Sequence, residues 1–252
     1  MNVIFLGAGP GDPDLLTVKA ARLLQHCQCC IYAGSLVSQE VIDLIPASAA
    51  TWNSAHMTLE ETTEVMRDFT QRNIQVIRLH TGDPSIYGAI GEQMAALNRL
   101  KIPYSIIPGV SSFQAAAAAV QTELTAPEIA QSIILTRAAG RTPVPHGQHI
   151  EDLAQTGSTL CIFLSIHQIH DIAATIGKYH GPDCPMAVVF HASWPDELVI
   201  RGTAATIAEL VDAHSIHKTA IILAGRALTW NGYVSKLYDA SFTHGYRNAS
   251  QP

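Results

Sequence analysis

Thr81-Gly82-Asp83-Pro84 puts a hydroxyl, a carboxylate and unshielded backbone into one short turn. Gly82 removes the steric wall a side chain would raise, and Pro84 stiffens the turn while disfavouring helix at Asp83. Backbone groups and one carboxylate can then meet a ligand together, although the same residues also fit an ordinary strand-to-helix turn. Pro108-Gly109-Val110-Ser111-Ser112 is a second small-residue turn, and Gly7-Ala8-Gly9-Pro10-Gly11-Asp12-Pro13 is a glycine loop. A different chemistry belongs to Thr136–Pro143, where Arg137 and Arg141 stand four apart beside Gly140. Guanidinium groups pair bidentately with carboxylate or phosphate, and a solvated surface charge fits the loop equally well.

Other reaction classes find little support. The glycine loop departs from the dinucleotide fingerprint, because Asp12 takes its sixth position, Pro10 stiffens its middle, and no acid closes Cys29–Tyr32 to hold a ribose. A nicotinamide-dependent oxidoreductase is therefore disfavoured. No Gly-x-Ser-x-Gly elbow and no paired carboxylates point to a serine hydrolase or a glycosidase. Among the 12 histidines, His146/His149, His167/His170 and His214/His217 share a spacing of three, which on a helix places both rings on one face. No HExxH or third ligand accompanies them, and Cys27-Gln28-Cys29-Cys30 has no second cysteine pair nearby, so no metal site is expected.

The elements that must position these turns alternate strand and helix. Val3–Leu6 runs into the glycine loop and a helical stretch from Leu15 to Leu24; Cys29–Tyr32 is the next strand. Thr58-Leu59-Glu60-Glu61 is a capping box, predicting a helix from Leu59 to Gln71 with Val65, Met66 and Phe69 inward. Gln75–Leu79 leads to the first turn and a helix from Ala89 to Leu100; Tyr104–Ile107 leads to the second and an Ala-rich helix from Phe113 to Val120. If those two strands are neighbours, their turns border one crevice at the carboxyl end of a parallel sheet. Thr122, Thr125 and Pro127 interrupt the pattern, and the expected domains are 1–117 and 118–252. In the second, strands at Ser132–Leu135, Thr159–Leu164, Pro185–His191, Leu198–Arg201 and Ala220–Ala224, with helices at Ile166–Tyr179 and Ala204–Ala213, predict a mixed sheet. Ser193-Trp194-Pro195-Asp196 reads as a turn, and the polar chain beyond Asp239 reads as a fraying tail.

Composition fits a globular α/β protein of 252 residues, 48% apolar and 14% charged. A formal charge of -6 offers no basic footprint for nucleic acid, so an anionic ligand needs a local Arg or Lys cluster. The apolar run Val3–Leu6 is too short for a signal peptide, and no run of about 18 apolar residues implies a membrane span. With five cysteines, an odd number, reduced thiols in a cytoplasmic protein are expected.

The glycine loop with Leu16-Thr17, then Tyr32-Ala33-Gly34-Ser35-Leu36-Val37, Thr81-Gly82-Asp83-Pro84 and Pro108-Gly109-Val110-Ser111-Ser112, together resemble the tetrapyrrole methylase family in order and spacing. The likeness runs from Val3 to about residue 228, and His80–Met94, Leu135–Pro143 and Ala192–Thr203 extend it toward the branch that acts on corrin-ring precursors. The resemblance implies two α/β domains, usually in a homodimer, with S-adenosylmethionine in the cleft between them as methyl donor and a reduced tetrapyrrole as methyl acceptor. It places donor contacts at Pro10, Thr81, Gly82, Asp83, Ile86, Ser111, Ser112, Leu164 and Ala192. A polycarboxylate acceptor makes Arg137 and Arg141 its expected clamps, and Tyr87 lines the wall behind the methyl or packs. It singles out no catalytic acid or base, and no metal. The alternatives are another tetrapyrrole methylase of the pathway acting at a different carbon, or a non-catalytic tetrapyrrole or metal carrier that uses the many histidines.

Overall fold

The structure, a computed structural model, describes residues 1–229 and 235–249. It divides into two compact units, Met1–Ala116 with His191–Leu198, and Ala117–Phe190 with Val199–Pro252.

The first unit comprises β1 (Val3–Gly7), α1 (Val18–Gln25), β2 (Cys29–Tyr32), α2 (Gln39–Ile42), β3 (Ala50–Asn53), α3 (Leu59–Gln71), β4 (Val76–His80), α4 (Ile90–Arg99), β5 (Tyr104–Ile107) and most of α5 (Ser112–Ala119). Its sheet has the order β3-β2-β4-β1-β5, and its pairings are parallel. Period-two alternation along buried strands sends Ile4, Leu6, Ile77 and Leu79 to one face, with Ala20 and Leu24 of α1. Val3, Phe5, Ile31 and Val76 go to the other, with Met66 of α3 and Leu97 of α4. Met66 and Leu97 are fully buried, and each such side chain stabilises the fold by about 1.5–3 kcal/mol.

Local chemistry sets the boundaries. Thr58 caps α3 as the sequence predicts: its hydroxyl accepts from the Glu61 N–H at 3.2 Å, while Glu61 accepts from the Thr58 N–H at 2.7 Å. The helix expected from Leu15 is instead a 3-10 turn, Pro13–Leu15, followed by α1, because Thr17 takes extended backbone and caps Ala20 at 3.1 Å. Edge strand β3, the short helix α2 and the short helix α6 (Ile150–Ala154) have no counterpart among the predicted elements. Cys29 and Cys30 point to opposite faces of β2, so the cysteine cluster packs in two separate cores.

The second unit contains β6 (Ile133–Arg137), α6 (Ile150–Ala154), β7 (Thr159–Phe163), α7 (Ile169–His180), β8 (Pro185–Phe190), β9 (Leu198–Thr203), α8 (Ile207–Ala213) and β10 (Ala220–Ala224). Its sheet is mixed, with order β6-β7-β10-β8-β9: β6 and β7 are parallel, and β10 is antiparallel to β7 and β8. The expected helix from Ile166 opens as a 3-10 turn before α7. His191–Leu198 departs from the expected division after residue 117, since it groups with the first unit although it lies late in the chain. The predicted tail contains a bridge between His244 and Arg247, and its last residues, 250–252, lie outside the described residues. Among the described residues no helix is long and apolar enough to cross a membrane.

Candidate functional site

β4 and β5 are not neighbours, contrary to the condition set on the sequence: β1 runs between them. Their turns nevertheless meet, because β1 ends in a glycine. A Cβ on Gly7 would stand 2.6 Å from Gly109 Cα and 2.7 Å from the Gly82 carbonyl oxygen, and one on Gly109 would stand 2.2 Å from that same oxygen. Backbone packs directly on backbone where three strand ends converge.

Hydrogen bonds stitch the three loops together. Gly82 N–H donates to the Gly9 carbonyl at 2.7 Å, Gly9 N–H returns to Gly82 at 3.3 Å, and Ala8 N–H donates to the His80 carbonyl at 2.7 Å. Gly82 sits at φ +60, a conformation that glycine adopts without strain. Asp83 accepts from the Gly109 N–H at 2.9 Å and the Ser85 N–H at 2.8 Å, and also from the Ser85 hydroxyl. Burial pushes its carboxyl upward, but those three donated bonds outweigh it and hold the group below the usual carboxylate value. Ser111 is buried and immediately precedes α5, its N–H donating to Gln114 Oε1 at 2.9 Å.

Pro10, Thr81, Gly82, Asp83, Ile86, Ser111, Ser112, Tyr87 and Ala192 all belong to this first unit. Thr81 and Tyr87 are exposed, Ile86 and Ser112 half-buried, and Ala192 buried. Tyr87 and Ala89 hold left-handed backbone, at φ 53 and 48. Non-glycine residues in that region are strained, and such strain gathers at functional sites.

Leu164, Arg137 and Arg141 belong to the second unit. Leu164 leaves β7 at φ 55 with 63% of its surface exposed, an apolar side chain held outward by strained backbone. Ser165 joins the turns after β6 and β7: its hydroxyl donates to Phe163 at 2.7 Å and accepts from the Ala138 N–H at 2.8 Å. The two arginines differ. Arg137 donates to the carbonyls of Ala138, Thr142 and Pro143 at 3.2, 3.1 and 2.8 Å, so its guanidinium braces its own loop, whereas Arg141 is exposed. A nearby cavity of about 400 Å³ is lined by Ala138, His149, Glu151 and Asp171, and its two carboxylates disfavour an anionic occupant.

The histidine pairs form no ligand set. His170 pairs with Asp212 of α8 at 2.8 Å rather than with adjacent Asp171, His214 bonds to the Leu210 carbonyl, and His149 is the N-cap of α6. Among the described residues no three His, Cys, Asp or Glu side chains converge as metal ligands.

Sequence reasoning missed Arg78, His80 and Trp194. Arg78 and His80 are buried on one face of β4; Arg78 bonds to Gln93 Oε1 at 3.0 Å and to the Ile31 carbonyl at 3.3 Å. Burial pulls the guanidinium down to about 10, leaving it cationic. Burial, with the Arg78 charge behind it, pushes His80 down to about 3, so its ring is neutral, and Nε2 has no partner among the described residues. Two polar residues two apart inside an apolar strand were the legible signal. Trp194 donates from Nε1 to the Pro10 carbonyl at 2.8 Å; a tryptophan in so polar a turn was the sign that it docks somewhere.

Comparison with known proteins agrees with this architecture. The profile of the Tetrapyrrole (Corrin/Porphyrin) Methylases matches residues 2–208. Cobalt-precorrin-4 C(11)-methyltransferase of Methanocaldococcus jannaschii is 46% identical, the match covering 98% of this chain and 96% of that protein. Precorrin-4 C(11)-methyltransferase of Pseudomonas aeruginosa is 45% identical, at 98% and 99% coverage. A crystal structure of a cobalt precorrin-4 methyltransferase from cobalamin biosynthesis superposes with TM-score 0.88 at 44% identity, covering 90% of this chain and 96% of the other. Uroporphyrin-III C-methyltransferase from Thermus thermophilus, solved in complex with S-adenyl homocysteine, gives 0.75 at 26% identity, covering 90% and 99%. By profile, identity and fold alike, this chain belongs to the tetrapyrrole (corrin/porphyrin) methylases.

Proposed function

We propose that the chain methylates ring carbon C-11 of precorrin-4 or cobalt-precorrin-4 in cobalamin biosynthesis, with S-adenosylmethionine as methyl donor. The observation that carries this reading is end-to-end identity near 45% with enzymes named for that reaction.

The loops of the first unit suit the donor. An adenosyl group with an amino-acid end needs backbone polar groups, a few hydroxyls and apolar walls. Gly82, buried and with both backbone groups bonded to Gly9, shapes the turn; Thr81, Ser111 and Ser112 bring hydroxyls; Pro10, Ile86 and Ala192 bring apolar walls. When bound, S-adenosylmethionine supplies a methyl group already activated as a sulfonium. The protein's own contribution is positioning and exclusion of water, which needs no acid-base triad. Asp83 serves the site by tying the turn after β4 to the turn after β5. Leu164 is offered as an apolar donor contact, Arg141 as the partner of a macrocycle carboxylate, Arg137 as the brace of its loop, and Tyr87 as an acceptor contact. The enzyme works as a homodimer, in the cytoplasm, a compartment in keeping with its free cysteines.

Calorimetry with S-adenosylmethionine, then turnover of precorrin-4 and cobalt-precorrin-4 read by product mass, tests the reading. Binding with one added methyl on either acceptor supports it and identifies the acceptor. Binding without product overturns the assignment to C-11, and absence of binding overturns the donor.

A further inference from the structure

His191–Leu198 grips the glycine loop at three consecutive residues. The indole Nε1 of Trp194 donates to the Pro10 carbonyl at 2.8 Å, and the Ser193 hydroxyl accepts from the Asp12 N–H at 3.0 Å. Between them, a Cβ on Gly11 would fall 2.0 Å from Trp194 Cδ1 and 2.3 Å from Nε1, so the indole occupies the space a side chain would need.

The segment is itself braced. His191 stacks on Trp194, with centroids 4.4 Å apart and planes 21° from parallel, and His191 Nδ1 lies 2.9 Å from both carboxylate oxygens of Asp196. Ser193 N–H donates to Glu197 at 2.6 Å, and Trp194 N–H to the His191 carbonyl at 2.8 Å. His191 and Ser193 hold left-handed backbone, at φ 47 and 69, a strain that persists only where surrounding contacts over-determine it.

We infer that Trp194 is a positioning residue for the donor site, with His191 and Asp196 holding its ring. The inference rests on the reading that Pro10 and Gly82 contact S-adenosylmethionine. Gly9 and Gly82 are bonded to each other in both directions, so a grip on Pro10–Asp12 also fixes the turn that begins at Thr81. Released from the indole, the loop gains conformations, and the donor must order it on binding.

The test is donor calorimetry on Trp194→Ala, Trp194→Phe and Gly11→Ala, each checked by circular dichroism and urea midpoint. Trp194→Ala should weaken donor affinity about tenfold, in the range expected for ordering a loop on binding. Trp194→Phe keeps an aromatic ring over Gly11 and lacks only the donor to Pro10, so its loss should be intermediate. Gly11→Ala retains the tryptophan but fills its slot. It should match Trp194→Ala in affinity while the Trp194 emission, read as a difference against Trp194→Phe, moves to the red. In turnover, the donor KM should rise more than the acceptor KM. If Trp194→Ala does not fold, the other two variants decide by the same criteria. Wild-type binding with folded variants of unchanged affinity overturns the inference and leaves the donor reading standing; a wild type that does not bind overturns the donor reading itself.

Discussion

The carboxylate of Asp83 receives the backbone N–H of Gly109 at 2.9 Å, across the end of the strand that separates their two turns. One side chain thus does for the loops what a ladder of backbone bonds does for adjacent strands. Asp83→Ala should lower donor affinity through loss of that link. The same change should reduce stability by only about 1–2 kcal/mol, the scale of a lost charged hydrogen bond at a partly open site. Parallel calorimetry and urea titration check this; loss of stability with full donor affinity would separate Asp83 from the site.

Gly109 has no room for a methyl group, since its Cβ would lie 2.2 Å from the Gly82 carbonyl oxygen and 2.9 Å from Gly7 Cα. Gly109→Ala should destabilise by at least about 1–3 kcal/mol, because backbone rather than a flexible side chain must move. Gly91, in α4, would meet nothing within 4 Å, and Gly91→Ala should be neutral or stabilise by up to about 1 kcal/mol. Thermal melts of the pair make the comparison.

His80 gives stability a dependence on mild acid. Burial lowers its folded value from 6.5 to about 3, so between those limits unfolding takes up a proton. The shift costs nothing above pH 6.5 and an increasing amount as pH falls toward 3, the stability lost by pH 5 being about 2 kcal/mol. His80→Phe should therefore lose less stability than wild type between pH 7 and pH 5, measured by urea unfolding at each pH. Parallel slopes for the two proteins would contradict a neutral buried imidazole.

Arg137 and Arg141 should separate kinetically. Arg141→Gln removes an exposed charge and should raise acceptor KM with donor affinity intact; Arg137→Gln removes three bonds that shape the loop and should lower kcat as well. Steady-state kinetics with each substrate varied in turn distinguishes them. Identical profiles would return both residues to a common role.

Buried strands and small-residue turns were legible because they rest on local chemistry: Val3–Leu6, the Thr58 capping box and the Gly82 and Gly109 turns follow from apolar runs, side-chain caps and glycine. Strand order was not, since nothing in Gln75–Ile107 states that β1 inserts between β4 and β5; that is decided by packing of residues far apart in sequence. Edge strand β3, with only Ala50 partly covered, lacks the apolar alternation a pattern search needs. In the site, the small loops announced themselves, whereas the docking of Trp194 onto Pro10 joins residues 184 positions apart. For Arg137 the residue type suggested an outward clamp; its carbonyl partners arise only when the loop folds back on the guanidinium.

Because residues 191–198 complete the first unit while strands on either side of them belong to the second, the chain does not divide into two self-sufficient modules. A fragment ending at Ala116 would carry the glycine loop and the Gly82 and Gly109 turns yet leave Gly11 bare where the indole should lie. Gene fusion, shuffling or truncation at that midpoint would deliver a first half with an unfilled groove, and a functional first half would need its late-arriving peptide supplied in trans.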